Sequence, residues 1–234
     1  MEAIVLAGGL GTRLKNLGID TPKPMLPVGS KPFLYFILSF LCQNSINKII
    51  LSVGYRWEKI KDYFGENYKN ASIEYSIEDS PLGTGGAIKK ALNFCENKNV
   101  WVINGDTFFE IDLMDMFHFH KKQNSYFTIA IKEMENFSRY GRVIVNNQNR
   151  IINFEEKEKL VNGHINGGVY IIDRNYFRGK SLPDQFSLEK DILEKVVDKE
   201  VLVAYLSNAY FIDIGVPQDY LKAQSDKTIF EKYE

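Results

Sequence analysis

The chain has 234 residues, of which 44% are apolar and 25% charged, and its formal net charge is −1. That size and balance suit a soluble globular protein with a full core and exclude a disordered or fibrous chain. The 29 Lys and Arg are spread along the sequence against 30 Asp and Glu, so no nucleic-acid-binding surface is expected and an anionic partner would be small and locally held.

Ala3 to Ala7 reads as a short buried strand. No basic segment precedes it and glycines soon break its apolar run, so neither a signal peptide nor a membrane partner is expected. The strand enters a loop with Gly8, Gly9 and Gly11 that carries Arg13, and Lys23 follows between Pro22 and Pro24. Bare backbone N–H groups make a concave anion nest, and a guanidinium adds a planar fork for phosphate oxygens. Spacing excludes two commoner glycine loops. A Walker A loop counted from Gly8 would need glycine where Arg13 stands, and a dinucleotide fingerprint counted from Gly9 would need glycine at Leu14. A plain strand-to-helix turn would want the glycines but neither cation.

Phe33, Phe36, Ile37, Phe40 and Leu41 fall on one face of a helix, and residues 48–53 then read as a buried strand. A short helix is expected over Trp57 to Phe64, an alternating strand over Ser72 to Ile77, a helix over Gly83 to Phe94 and a buried strand over Val100 to Ile103. Cys42 and Cys95 are the only cysteines, and outside any C-x-x-C they read as reduced core thiols of a reducing compartment, here the cytoplasm. The second half has helices over Asp112 to Lys122, Leu188 to Val197 and Val216 to Ser225. Strands are expected over 126–132, 141–145, 151–155, 165–172, 201–205 and 210–212. His118 and His120 point to different faces of their helix and read as surface or packing residues rather than a metal pair, and His164 has no evident partner. The pattern predicts an α/β fold, Rossmann-like, with a mixed, mainly parallel central sheet flanked by helices and a small β-rich lobe. We expect one domain over 1–226, with 1–110 mainly for a nucleotide and 111–226 mainly for its co-substrate. The charged tail 227–234 is expected to fray.

In such sheets ligands bind beyond the carboxyl ends of the strands. The glycine loop, Arg13 and Lys23 follow the first strand, Glu78 and Ser80 to Gly86 the third, and Asn104-Gly-Asp106 the fourth. Ile212-Asp213 repeats the theme of an apolar strand ending in one carboxylate. Asp106 and Asp213 read as a Mg²⁺ pair, since that ion takes one or two carboxylates plus phosphate oxygens. Each could instead cap a helix, Asp106 ahead of Asp112 and Asp213 at Pro217. Glu155-Glu156-Lys157 could be no more than a solvated face, and Gly167 and Gly168 would let a ligand approach the backbone.

The segments Leu6 to Leu14, Pro22 to Pro24, Pro81 to Gly86, Asn104 to Asp106, Phe154 to Lys157, Asn166 to Tyr170 and Ile212 to Gly215 resemble the sugar-1-phosphate nucleotidyltransferases, in that family's order and over nearly the whole chain. The narrower likeness, carried by 105–109, 140–141, 165–168 and 210–217, is to the branch that joins GTP to a manno-heptose 1-phosphate. Mannose 1-phosphate with GTP, or a uridylyl or cytidylyl reaction, are the alternatives, followed by a silent nucleotide-sugar sensor. A glycosyltransferase would want an Asp-x-Asp motif, which Asp106-Thr-Phe-Phe lacks.

The resemblance implies a GT-A-like fold whose β-rich lobe binds the sugar, and release of pyrophosphate. Arg13 would hold the β- and γ-phosphates, Lys23 the α-phosphate and the incoming phosphate, and Asp106 and Asp213 Mg²⁺. Lys157 would bind the sugar phosphate, with Gly141, Glu156 and Asn166 near its hydroxyls, and Glu158 departs from the proline many relatives carry there. Leu6, Gly8, Gly9, Gly11, Thr12, Glu78, Gly83 and Thr84 would surround the nucleotide. Glu78 favours guanine, whose adjacent N1–H and N2–H suit an acceptor-only carboxylate, unless it pairs with Lys89 or Lys90. The product would serve a capsule, an S-layer glycan or lipopolysaccharide. The sequence is compatible with a homo-oligomer.

Overall fold

The computed structural model describes residues 1–9, 21–137, 139–155, 160–197 and 199–234. In chain order the elements are β1 (Glu2–Leu6), β2 (Pro27–Val28), β3 (Lys31–Pro32), α1 (Phe33–Gln43), β4 (Lys48–Val53), α2 (Trp57–Phe64), β5 (Asn67–Tyr68), β6 (Ala71–Ile77) and α3 (Gly83–Ala91). Then come β7 (Asn99–Asn104), β8 (Thr107–Phe109), α4 (Leu113–Gln123), β9 (Phe127–Phe137), β10 (Arg142–Val145), β11 (Ile151–Glu155) and β12 (Leu160–Asp173). A π-helix over Leu188–Leu193 runs into α5 (Glu194–Val196), followed by β13 (Leu202–Leu206), β14 (Phe211–Asp213), α6 (Pro217–Ser225) and α7 (Lys227–Glu231).

Ten of these strands form one sheet, in the order β11-β10-β12-β7-β1-β4-β6-β5, with β9 on β12 and β13 on β9. The stretch β7-β1-β4-β6 is parallel, which is the α/β core the alternation predicts. β7, β1 and β4 are apolar on both faces because both are covered, whereas β6 alternates, with Ser72 exposed. Ala3, Val5, Ile49 and Leu51 face the core that α1 covers, whereas Ile4, Ile50, Val100 and Val102 face the one that α3 covers. The β-rich lobe grows from β12, whose C-terminal half pairs antiparallel with β7 and whose N-terminal half pairs with β10, while β9 runs beside both halves.

Three details depart from the sequence expectation. First, β14 does not join the main sheet but pairs antiparallel with β8, setting Asp213 opposite Thr107. Second, the helix expected over 188–197 begins as a π-helix. Third, the tail is docked rather than frayed. Phe230 and Tyr233 are 2% and 4% exposed, and the Phe230 ring lies 4.8 Å from Phe36 and 5.4 Å from Phe108. The Tyr233 hydroxyl donates to Glu110, so two buried rings outweigh the surrounding charges that suggested fraying.

His118 is exposed and His120 buried, on opposite sides of α4 as their spacing requires. The Nδ1 of His120 lies 2.7 Å from the Thr128 hydroxyl. Burial outweighs the attraction of Asp173 and lowers its pKa from 6.5 to about 4. The unfolded chain therefore binds a proton that the folded one refuses. The contribution of this site to stability is complete above pH 6.5 and is lost as pH falls toward about 4. The whole window is worth up to about 3 kcal/mol. His120→Asn is expected to flatten the dependence of the denaturation midpoint on pH between 7 and about 4. A profile as steep as the wild type would refute this.

Candidate active site

Lys23 opens a short 3-10 turn, Lys23–Met25, with prolines on both sides that fix its presentation. Its ammonium donates to Oδ2 of Asp106 and lies 3.8 Å from Oδ1 of Asp213. The two carboxylates meet because Asp106 immediately precedes β8 and Asp213 ends β14, the strand paired with it. The Gly215 N–H donates to Oδ1 of Asp213 at 2.7 Å and the Tyr140 hydroxyl to Oδ2 at 3.3 Å. Burial, and then repulsion from Asp106, push the Asp213 carboxyl above its ordinary value. Neither aspartate is a helix cap. Asp112 caps α4, accepting from Asp115 N–H at 2.9 Å, and α6 has Val216 at its cap position without a side-chain bond.

Two anions around one cation form a seat for positive charge. Among the described residues no three His, Cys, Asp or Glu side chains converge into a metal cage. A divalent ion on Asp106 and Asp213 would therefore complete its shell with water and substrate oxygens, the habit of Mg²⁺.

On the base side, Gly8 follows β1 and lies against Glu78, which follows β6. A Cβ on Gly8 would come within 2.6 Å of Oε1 of Glu78. That carboxylate accepts from the Ser52 hydroxyl and from Leu82 N–H, each at 3.1 Å. Its pairing with Lys89 or Lys90 does not occur: Lys89 donates to Leu182 O and Lys90 to Ile77 O. Glu78 is thus fixed beside the loop with lone pairs to spare. Leu6 is held from the other side, its carbonyl accepting from Gly105 N–H at 2.9 Å. Among the described residues, nothing lies within 4 Å of where a side chain on Gly9 would stand.

The glycines of the 83–86 motif make room for protein atoms. Gly83 has φ +71° and would place a Cβ 2.5 Å from Phe186 O, and on Gly86 one would stand 2.1 Å from Asp184 O. They let the start of α3 pack on the segment at 184–188. The hydroxyl of Thr84 accepts from Leu188 N–H at 2.9 Å and donates to Glu189 at 2.7 Å.

The sugar-side residues Gly141 and Asn166 line a pocket of about 360 Å³ together with Asp106 and Asp213. Gly167 and Gly168, expected to admit a ligand, both make room for protein, and Gly168 also lines the pocket. A Cβ on Gly167 would meet the Phe109 ring at 2.5 Å, and on Gly168, with φ +69°, the Asn104 amide at 2.6 Å. Both sit where β12 shifts register against β9, between Asn166 and Tyr170. Arg139 closes the rim, stacked on Tyr140 and paired with Asp219 of α6. Gly11, Thr12, Arg13, Glu156 and Lys157 lie outside the described residues. Sequence reasoning missed Glu189, a pocket residue within the helix expected over Leu188 to Val197.

The sequence profile of the nucleotidyl transferases matches residues 2–228. The chain belongs to that family. Among nucleotidyl transferases it is 49% identical over 226 residues to the D-glycero-alpha-D-manno-heptose 1-phosphate guanylyltransferase of Aneurinibacillus thermoaerophilus, covering 97% of this chain and 98% of that one. The enzyme of the same name from Campylobacter jejuni is 47% identical over 220 residues, covering 94% and 97%. The crystal structure of HddC from Yersinia pseudotuberculosis complexed with GMP-PN superposes with a TM-score of 0.87 at 38% identity, covering 97% of this chain and 99% of that one. Among the described residues no helix is long and apolar enough to cross a membrane.

Proposed function

We propose that this nucleotidyl transferase makes GDP-D-glycero-α-D-manno-heptose and pyrophosphate from GTP and D-glycero-α-D-manno-heptose 1-phosphate. The observation that carries the chemistry is Lys23 seated between Asp106 and Asp213 at one end of a sugar-sized pocket. The two near-full-length heptose 1-phosphate guanylyltransferases support the choice of sugar and base.

A phosphate monoester has its second pKa near ~6, so its oxygen is already a nucleophile at neutral pH and no catalytic base is required. That oxygen attacks the α-phosphorus of GTP in line, the bond to the bridging oxygen breaks, and pyrophosphate leaves with the electron pair. The obstacle is repulsion between two anions, and positive charge fixed in place removes it. Lys23 supplies charge at the reacting phosphates and Arg13 at the departing pyrophosphate. Asp106 and Asp213 hold Mg²⁺, which when bound neutralises phosphate charge and orients the α-phosphate. Glu78 accepts from the guanine N1–H and N2–H edge, while Gly8, Gly9, Gly11, Thr12 and Leu6 leave room for base and phosphates. Lys157 takes the sugar phosphate, and Gly141, Glu156 and Asn166 the hydroxyls. We place the reaction in the cytoplasm, where GTP is made.

The test pairs each nucleoside triphosphate with Mg²⁺ and a panel of sugar 1-phosphates while pyrophosphate release is followed. GTP with the manno-heptose 1-phosphate is expected to give the highest kcat/KM. Fast turnover with UTP and none with GTP would refute the guanylyl reading, and a preference for mannose 1-phosphate would refute the heptose.

A further inference from the structure

The π-helix over Leu188–Leu193 and the residue before it line the same pocket as Asp106. π-helical turns are rare and concentrate at functional sites. Here the wide turn brings Ser187, Glu189, Lys190 and Glu194 to the same cavity.

Glu189 is the hub of this segment. Its Oε2 accepts from the Thr84 hydroxyl at 2.7 Å and from the Ser187 hydroxyl at 2.9 Å, and its Oε1 accepts from the Tyr170 hydroxyl at 3.1 Å. The Tyr170 hydroxyl in turn accepts from Nδ2 of Asn166 at 2.8 Å, and Oδ1 of Asn166 accepts from Gly168 N–H at 3.0 Å. The direction of this chain is fixed at both ends. A backbone N–H can only donate, so the Asn166 atom facing Gly168 is its oxygen and the amide nitrogen faces Tyr170. An ionised carboxylate can only accept, so the Tyr170 proton points at Glu189. Tyr170 is 1% exposed.

We propose that Glu189 is a positioning residue that sets the orientation of the Asn166 amide for the sugar and ties it to the start of α3 through Thr84. The inference rests on the assignment of Asn166 to the sugar. With its carboxylate in place, Asn166 offers the pocket one N–H and one oxygen lone pair in a known order, a match for two neighbouring sugar hydroxyls. Without it, the phenol can reverse and turn its proton toward the amide nitrogen, so the amide order rests on the Gly168 N–H alone. Thr84 belongs to the motif assigned to the nucleotide, so the same carboxylate joins the two substrate sides.

Tyr170→Phe and Glu189→Gln, singly and together, test this with GTP and the manno-heptose 1-phosphate. Tyr170→Phe keeps the ring and cuts only the sugar branch. It is expected to raise the KM for the sugar phosphate about tenfold, with KM for GTP and kcat within about twofold. Glu189→Gln replaces an acceptor with a group that also donates, so it is expected to raise the same KM by a similar factor. Because both act through one chain, the double variant should be no worse than the poorer single one. Additive effects, equal rises in both KM values, or an unchanged sugar KM in a folded variant would overturn the inference. Absence of wild-type turnover with every sugar 1-phosphate would instead overturn the proposed function.

Discussion

Lys23→Ala is expected to lower kcat by about 10²- to 10³-fold while the protein stays folded, as removal of one preorganised charge from a transition state does elsewhere. The Lys23 side chain is 14% exposed and its ammonium is held by two carboxylates before substrate arrives. Lys23→Arg should not restore the rate, because a planar fork cannot occupy the point between two carboxylates that a compact ammonium fills. A second effect has the opposite sign. With the ammonium gone, Asp106 and Asp213 face each other unneutralised, and the variant should bind Mg²⁺ more tightly than the wild type in the absence of nucleotide. Isothermal titration reads the second effect and pyrophosphate release the first. Unchanged turnover would remove Lys23 from the mechanism, and unchanged metal affinity would remove its competition for the carboxylates.

Asp213→Asn is expected to raise the Mg²⁺ concentration for half-maximal turnover by at least about tenfold and to lower the rate at saturating metal. Loss of a residue that merely orients a ligand costs about 10- to 100-fold in metal affinity, and loss of a ligand carboxylate should cost no less. The amide keeps the acceptor that meets Gly215 N–H, so the β14 end should hold its shape. Tyr140→Phe removes only the hydroxyl at 3.3 Å and serves as the mild comparison. A Mg²⁺ dependence identical to wild type in Asp213→Asn would place the metal elsewhere.

Much of the site was legible because the ends of buried strands are conspicuous. Glycine and aspartate directly after apolar runs stand out, and Lys23 is marked by a proline on either side. What the residues could not show was partnership. Strands as short as β8 and β14 have no periodicity to read, so the pairing that brings Asp213 opposite Thr107 was invisible. Glycine has two uses that composition does not separate, and Gly83, Gly86, Gly167 and Gly168 all make room for protein atoms. Glu189 lay in a segment read only as a helix, and the π-helical turn brings it to the pocket. The tail misled for the converse reason, since charged neighbours concealed Phe230 and Tyr233 as core residues.

The register shift in β12 has a consequence for how such a protein can diverge. From Leu160 to Asn166 the strand keeps one register with β9, and from Tyr170 to Ile172 it keeps another, displaced by the residues between. A slip of one residue in a regular strand turns every later side chain to the wrong face. Here the bulge already absorbs a mismatch, so an insertion or deletion on the Leu160 side need not propagate past Gly168 into the ladder with β7. The lobe can therefore drift toward new sugars over generations while the half beneath it keeps its geometry. Lineages that exchange one sugar for another would be expected to differ in length on the 142–166 side of that bulge and to agree on the other.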